Sequence, residues 1–220
     1  AWKYIENNFN EKTGLINAAH KFPSAATWDW ANGIFAIFAA KKFHIIDEDR
    51  YDEMMNKFLT QMQKIPLFNN ELPNKTYNVQ KAKMSDYRNK LQEDGIGWSA
   101  ADFARFLQSL NLIEQCEPNH APAVEKLLLR FNFCRTFSVD GDMYGGTLHH
   151  GKLSIAHEAL TGYEEYLSRG FNLWNLPGRE AREYKFLKEV EVYGIKIPTD
   201  TRPFFSNFIE SEPFWFLGFE

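Results

Sequence analysis

The stretch 27–43, TWDWANGIFAIFAAKKF, sets the architecture. Ile34, Phe35, Ile37, Phe38 and Ala39 cover nearly every side of a helix here, and a helix apolar almost all round is a buried one. Thr27 reads as its N-cap, because its hydroxyl can take an orphan N–H of the first turn. Asp29 follows where the helix dipole favours negative charge. The segment therefore reads as an inner wall with Trp28, Asp29 and Trp30 at its mouth.

Outward from this helix, the pattern changes to one-sided stripes. Residues 47–65 place Tyr51, Met54, Met55, Phe58, Leu59 and Met62 at 3–4 spacing, as an outer helix packed on an inner one does. The opening theme returns at 95–111, GIGWSAADFARFLQSLN, with Ser99 as cap and Trp98 and Asp102 beside it. Residues 117–133 read as its outer partner. Ser154 and Ser211 are the next two caps in this scheme, and the intervals from Thr27 onward are 72, 55 and 57 residues. Repeats of that size suggest helical hairpins stacked around an axis. The expected fold is all-α, an α/α toroid of the (α/α)6-barrel kind. It is expected to form one domain over 1–220 that is incomplete at its C-terminus, with small β-hairpins in its long loops. Hairpins are expected around 75–87 and 138–153, and a short extended piece at VYGIKIP.

Composition narrows the function. The chain has 220 residues, a net charge of −4 and no basic block, which argues against nucleic acid as a partner. It has no run of 18 apolar residues, so no transmembrane helix is expected. It opens on Ala1, which fits a removed leader or a fragment of a longer protein. Cys116 and Cys134 match no zinc or redox spacing, and they neither demand nor exclude a disulfide.

The 20 Phe, 9 Tyr and 6 Trp exceed what a core needs, and several stand at helix starts. If the inner helices begin on one side, their first turns bring together Trp28, Asp29, Trp30, Trp98, Asp102, Glu158, Tyr163, Glu164, Glu165, Glu210 and Glu212. Rings and acids together suit carbohydrate, since sugars stack on aromatic faces and paired carboxyl groups can cleave a glycosidic bond. Capping alone also places acids at helix starts. Glu164 and Glu165 stand apart from that explanation, because a helix starting at Ser154 would carry them about ten residues inside it. His149-His150 has no third ligand at a recognisable spacing, so neither a metal nor a cofactor is expected. Lys75 and Arg202 could clamp a polar ligand or form surface ion pairs.

Nine segments, TGLI, PSAATWDWANGIFAIFAA, PLFNNELPNKTYN, GIGWSAADFARFL, LRFNFC, YGGTL, GYEEYLSRGFNLW, VYGIKIPTDTR and ESEPFWFLGFE, resemble in order the bacterial family known as domain of unknown function 3131. That family is similar to glycoamylase-like proteins, including β-1,2-glucanases and the cyclising domain of cyclic β-1,2-glucan synthase. The resemblance implies an (α/α)6 barrel, a glucan or other oligo- or polysaccharide as partner, and a periplasmic or exported location. It draws attention to Asp29, Glu71, Lys75 with the nearby Tyr77, Asp102, Glu164, Asp200, Arg202 and Glu212. The expected acid and base are Glu164 and Asp29, with Glu212 the next candidate. A non-catalytic glycan-binding or scaffolding module of an export system is the alternative, and a purely structural α/α domain a third.

Overall fold

A computed structural model describes residues 2–139, 141–158, 162–176, 178 and 187–201. Helix α1 (Trp2–Asn8) leads to the two-residue strand β1 (Ser24–Ala25) and then to α2 (Thr27–Lys42). Helix α3 (Glu48–Met62) returns against α2. Strands β2 (Thr76–Asn78), β3 (Lys83–Ser85) and β4 (Gly97–Trp98) fill the long connection to α4 (Ala100–Cys116). Helix α5 (Ala121–Leu128), the hairpin β5 (Tyr144–His149) and β6 (Lys152–His157), helix α6 (Tyr163–Asn172) and the hairpin β7 (Leu187–Val192) and β8 (Ile195–Asp200) complete the described order.

Helix α4 packs between α2 and α6, while α3 lies against α2 and α5 against α4. The inner and outer alternation expected from the stripes is present. The outer stripe of α3 is fully used: Tyr51, Met54, Met55, Phe58, Leu59 and Met62 are all buried. Each such side chain contributes about 1.5–3 kcal/mol by leaving water. Asp47 caps α3 by accepting from the Arg50 N–H at 2.8 Å. Inner helices α4 and α6 approach closely at Gly170, where a Cβ would collide with the Ala104 carbonyl.

Four expectations need correction. The described residues include eight strands in three antiparallel sheets, ordered β1-β2-β3, β4-β5-β6 and β7-β8, so the fold is not all-α. Ala26, not Thr27, is the N-cap of α2, and the Asp29 carboxylate accepts the Ala26 N–H at 2.8 Å. Ser154 caps no helix. It pairs with Thr147 in the β5–β6 ladder, and the next helix begins at Tyr163. Glu164 and Glu165 therefore lie in the first turn of α6, and Glu165 accepts the Gly162 N–H at 2.5 Å. The expected cap at Ser211 lies outside the described residues.

The expected extended piece at VYGIKIP is the β7–β8 hairpin, turning at Tyr193-Gly194. The other late hairpin turns at His150-Gly151, both with positive φ (49° and 74°), the geometry a two-residue loop needs. Cys116 and Cys134 are both free and exposed. No helix among the described residues is long and apolar enough to cross a membrane.

Candidate functional site

The first turns of α2, α4 and α6 do converge. A cleft of about 300 Å³ opens there, lined by Trp28, Ser99, Ala101, Asp102, Glu158, Tyr163 and Leu167. Trp28 and Tyr163 meet edge to face, with ring centroids 5.8 Å apart. Behind Trp28 lies Arg105, 4% exposed, with its guanidinium 4.9 Å from the Trp28 ring and 5.2 Å from Phe35. Its Nε donates to Asn32 Oδ1 at 2.9 Å and an Nη donates to the Tyr166 hydroxyl. A cation stacked on these faces fixes the platform from behind.

Asp102 is the third residue of α4. Its own N–H donates to Ser99 Oγ at 3.0 Å, so Ser99 is the cap that the sequence suggests. Glu158 arrives from the end of β6. Its Oε2 accepts the Ala100 N–H and, at 3.4 Å, the Ala101 N–H, so a residue more than 50 positions away satisfies the start of α4. The β5 segment YGGTL makes room for this. A Cβ on Gly145 would meet Glu158 Oε2 at 2.5 Å, and one on Gly146 would enter the Trp98 ring.

The electrostatics single out Asp102. Burial, and then the negative charges of Glu158 and Asp29, push its carboxyl up to about 7, against smaller opposing effects of Ser99 and Lys75. Asp29 is also raised, by burial, partly offset by its bond from Ala26. A buried carboxyl that keeps its proton near neutral pH is the arrangement from which a general acid is made.

The remaining sequence candidates divide. Lys75 is not among the residues lining the cleft; its Nζ donates to Thr147 Oγ1 at 2.9 Å, and its charge acts on Asp102. Glu164 is 5% exposed and lies off the cleft, its Oε1 3.0 Å from His157 Nε2. Trp30 is no platform. It is fully buried, packed on Tyr77 and Phe58 at 5.1 and 6.2 Å. Tyr77 is also core: its hydroxyl donates to the Pro66 carbonyl at 2.9 Å and accepts the Asn74 N–H at 2.8 Å. Trp98 is buried as the wall behind Gly146, with Nε1 donating to the Tyr144 carbonyl at 2.9 Å. Glu71 holds the chain after α5, accepting from Asn132 Nδ2 at 3.0 Å and Arg135 Nε at 3.1 Å. Asp200 is buried at the end of β8, paired in register with Leu187. Arg202 and Glu212 lie outside the described residues.

Two features escaped the sequence reading. Arg105 had a signal: a charged residue on the apolar face of an inner helix, one turn after Asp102. The grouping of Asp142, His157 and Glu164 had none, because it joins three separate elements. Their ligand atoms lie within 4.8 Å of one another, the geometry in which a cation could sit. The His157–Glu164 hydrogen bond accounts for part of the grouping without one.

The whole chain, residues 1–220, matches the family described as "Protein of unknown function (DUF3131)". The chain belongs to that family. No curated protein matches the DUF3131 chain by sequence. Solved structures do match its fold. An endo-β-1,2-glucanase from Chitinophaga pinensis, solved with sophorotriose and glucose, superposes with a TM-score of 0.64 at 12% identity, over 94% of this chain and 54% of that one. A candidate glucoamylase from Bacteroides uniformis gives 0.65 at 14% identity, over 91% and 53%. A β-1,2-glucanase from Parabacteroides distasonis gives 0.60 at 12% identity, over 88% and 32%. The DUF3131 chain thus has a fold of the glucanase α/α-toroid type and spans about half the length, or less, of the structures it matches.

Proposed function

We propose that this DUF3131 chain forms part of a glycoside hydrolase- or transglycosylase-like site acting on a bacterial β-glucan. The observation that carries the reading is Asp102, a carboxyl pushed up to about 7 in a cleft walled by Trp28 and Tyr163. Asp102 is the proton donor to the glycosidic oxygen. Glu158 is the carboxylate beside it, and Trp28 and Tyr163 hold the sugar ring. This moves the acid role from Glu164 to Asp102, because Glu164 is buried against His157 and away from the cleft. Asp29 acts on Asp102 through its charge, and Glu212 stays a candidate for the second catalytic carboxylate. Lys75 and Arg202 are candidate contacts to substrate hydroxyls. The glucan-acting neighbours support the substrate class, and an exported location goes with it.

A second reading has its own observation. The carboxylates of Asp29 and Glu158 both accept backbone N–H groups, as structural caps do. A glycan-binding module without turnover would use the same rings and acids. Incubation with β-1,2-, β-1,3-, β-1,4- and β-1,6-glucans, followed by mass spectrometry of the products, separates the two. Shortened or rearranged oligomers from the wild type, absent with Asp102→Asn, support the enzyme. Saturable binding without product in both proteins overturns it in favour of the module.

A further inference from the structure

A second concavity lies apart from the carboxylate cleft. A groove of about 810 Å³ runs between the end of α3, the loop after α1 and the β2–β3 hairpin. Four lysines, Lys12, Lys64, Lys81 and Lys83, line it, with Glu93 the one acid among its lining residues. All four lysines are exposed, and none of their ammonium groups makes an ion pair or a hydrogen bond among the described residues. Arg50 and Lys57, by contrast, are paired, sharing Glu11 and Glu53. A protein of net charge −4 thus gathers four unpaired lysines along one groove.

The walls are fixed. Thr13 Oγ1 donates to the Val79 carbonyl at 2.9 Å, tying the first loop to the hairpin. Asn78 Oδ1 accepts the Lys81 N–H at 2.9 Å, which sets the hairpin turn. Arg130 donates to the Ile65 carbonyl at 2.8 Å and closes the end of α3. The lining also supplies the amides of Gln61, Gln80 and Gln92 and the apolar surface of Met84 and Leu91. It holds no aromatic ring. Amides read hydroxyl groups, and ammonium groups read carboxylate or phosphate. The carboxylate cleft has the opposite character, with rings and acids that repel an anion.

We infer that the groove walled by Lys12, Lys64, Lys81 and Lys83 binds an anionic oligosaccharide, at a site separate from the carboxylate cleft. The ligand is hydroxyl-rich, carries carboxylate groups on its sugars and lies along the hairpin. The inference does not depend on whether the cleft cleaves glycosidic bonds.

Calorimetry with trigalacturonate tests it, with neutral sophorotriose and inorganic pyrophosphate as probes of the two halves of the ligand. Trigalacturonate is expected to bind at 50 mM NaCl and to weaken at least fivefold at 500 mM, where screening shortens the reach of the lysines. Lys64→Gln with Lys83→Gln is expected to weaken it about tenfold, and Asp102→Asn to leave it unchanged. Both lysines are exposed, so folding is checked by circular dichroism and is expected to be intact. No binding of trigalacturonate at low salt, or binding unaffected by the lysine pair, overturns the inference. Pyrophosphate binding as tightly as the trisaccharide overturns the recognition of a saccharide. Competition by sophorotriose at equal affinity removes the role of charge.

Discussion

Asp102 and Glu158 meet at the start of α4 although one belongs to that helix and the other to the end of β6. Glu158 accepts the helix's first N–H groups, and its charge keeps the Asp102 carboxyl protonated to higher pH. The same side chain completes a helix and tunes an acid. Glu158→Gln keeps an acceptor for the Ala100 N–H and removes the charge. It is therefore expected to lower the Asp102 pKa toward the ordinary carboxylate range, as carbon-13 NMR of the labelled carboxyl would read. An unchanged midpoint would mean that burial and Asp29 set it without Glu158.

Asp102 also links pH to stability. Its folded pKa, about 7, lies above the ordinary 3.8, so the folded state binds the proton more tightly than the unfolded chain does. Its contribution is fully present below about pH 3.8 and fades as pH rises through about 7. Asp102→Asn, neutral throughout, is expected to gain about 4 kcal/mol on the wild type between pH 4 and pH 8. Urea midpoints at the two pH values measure this. If glucan turnover is found, its rate is expected to fall above about pH 7 as Asp102 loses its proton.

The paired glycines of β5 face Trp98 and Glu158. Gly146→Ala places a methyl group in the Trp98 ring and is expected to cost about 1–3 kcal/mol by overpacking. Gly145→Ala presses on Glu158 instead. It is expected to change the Asp102 midpoint more than the unfolding free energy, a contrast that NMR titration and urea denaturation on the two variants would test.

Arg105 holds Trp28 by stacking, which a lysine cannot reproduce. Arg105→Lys keeps the charge and loses the plane. It is expected to raise the KM for any glucan substrate, or its Kd if there is no turnover, by about tenfold, with a change in tryptophan emission. Unaltered binding with a lowered melting temperature would restrict Arg105 to the core.

Much of the helical scaffold was legible, and for local reasons. The stripe of α3, the cap at Ser99 and the all-round apolarity of α2 each sit within one element. Ser154 misled because a serine before HEAL resembles a cap, while its true partner, Thr147, comes from the other arm of a hairpin. That one shift moved Glu164 and Glu165 from the interior of a helix to its first turn. Strands β1 to β4 are two or three residues long, too short for alternation to register. Asp29 and Asp102 look equivalent in sequence, each third in an inner helix. Deeper burial and the arrival of Glu158, from more than 50 residues away, set Asp102 apart, while Asp29 is engaged by the Ala26 N–H.

The β5–β6 hairpin is anchored at one end and open to change at the other. Tyr144 pairs with His157 beside the cleft, and five rungs away His149 pairs with Lys152 at the exposed His150-Gly151 tip. Residues added in pairs at that tip would lengthen the ribbon and leave the register beside Glu158 untouched. A spectroscopic label or an affinity tag placed there would ride on the same rigid ladder as the site. The hairpin thus offers a handle for observing the cleft from outside without entering it.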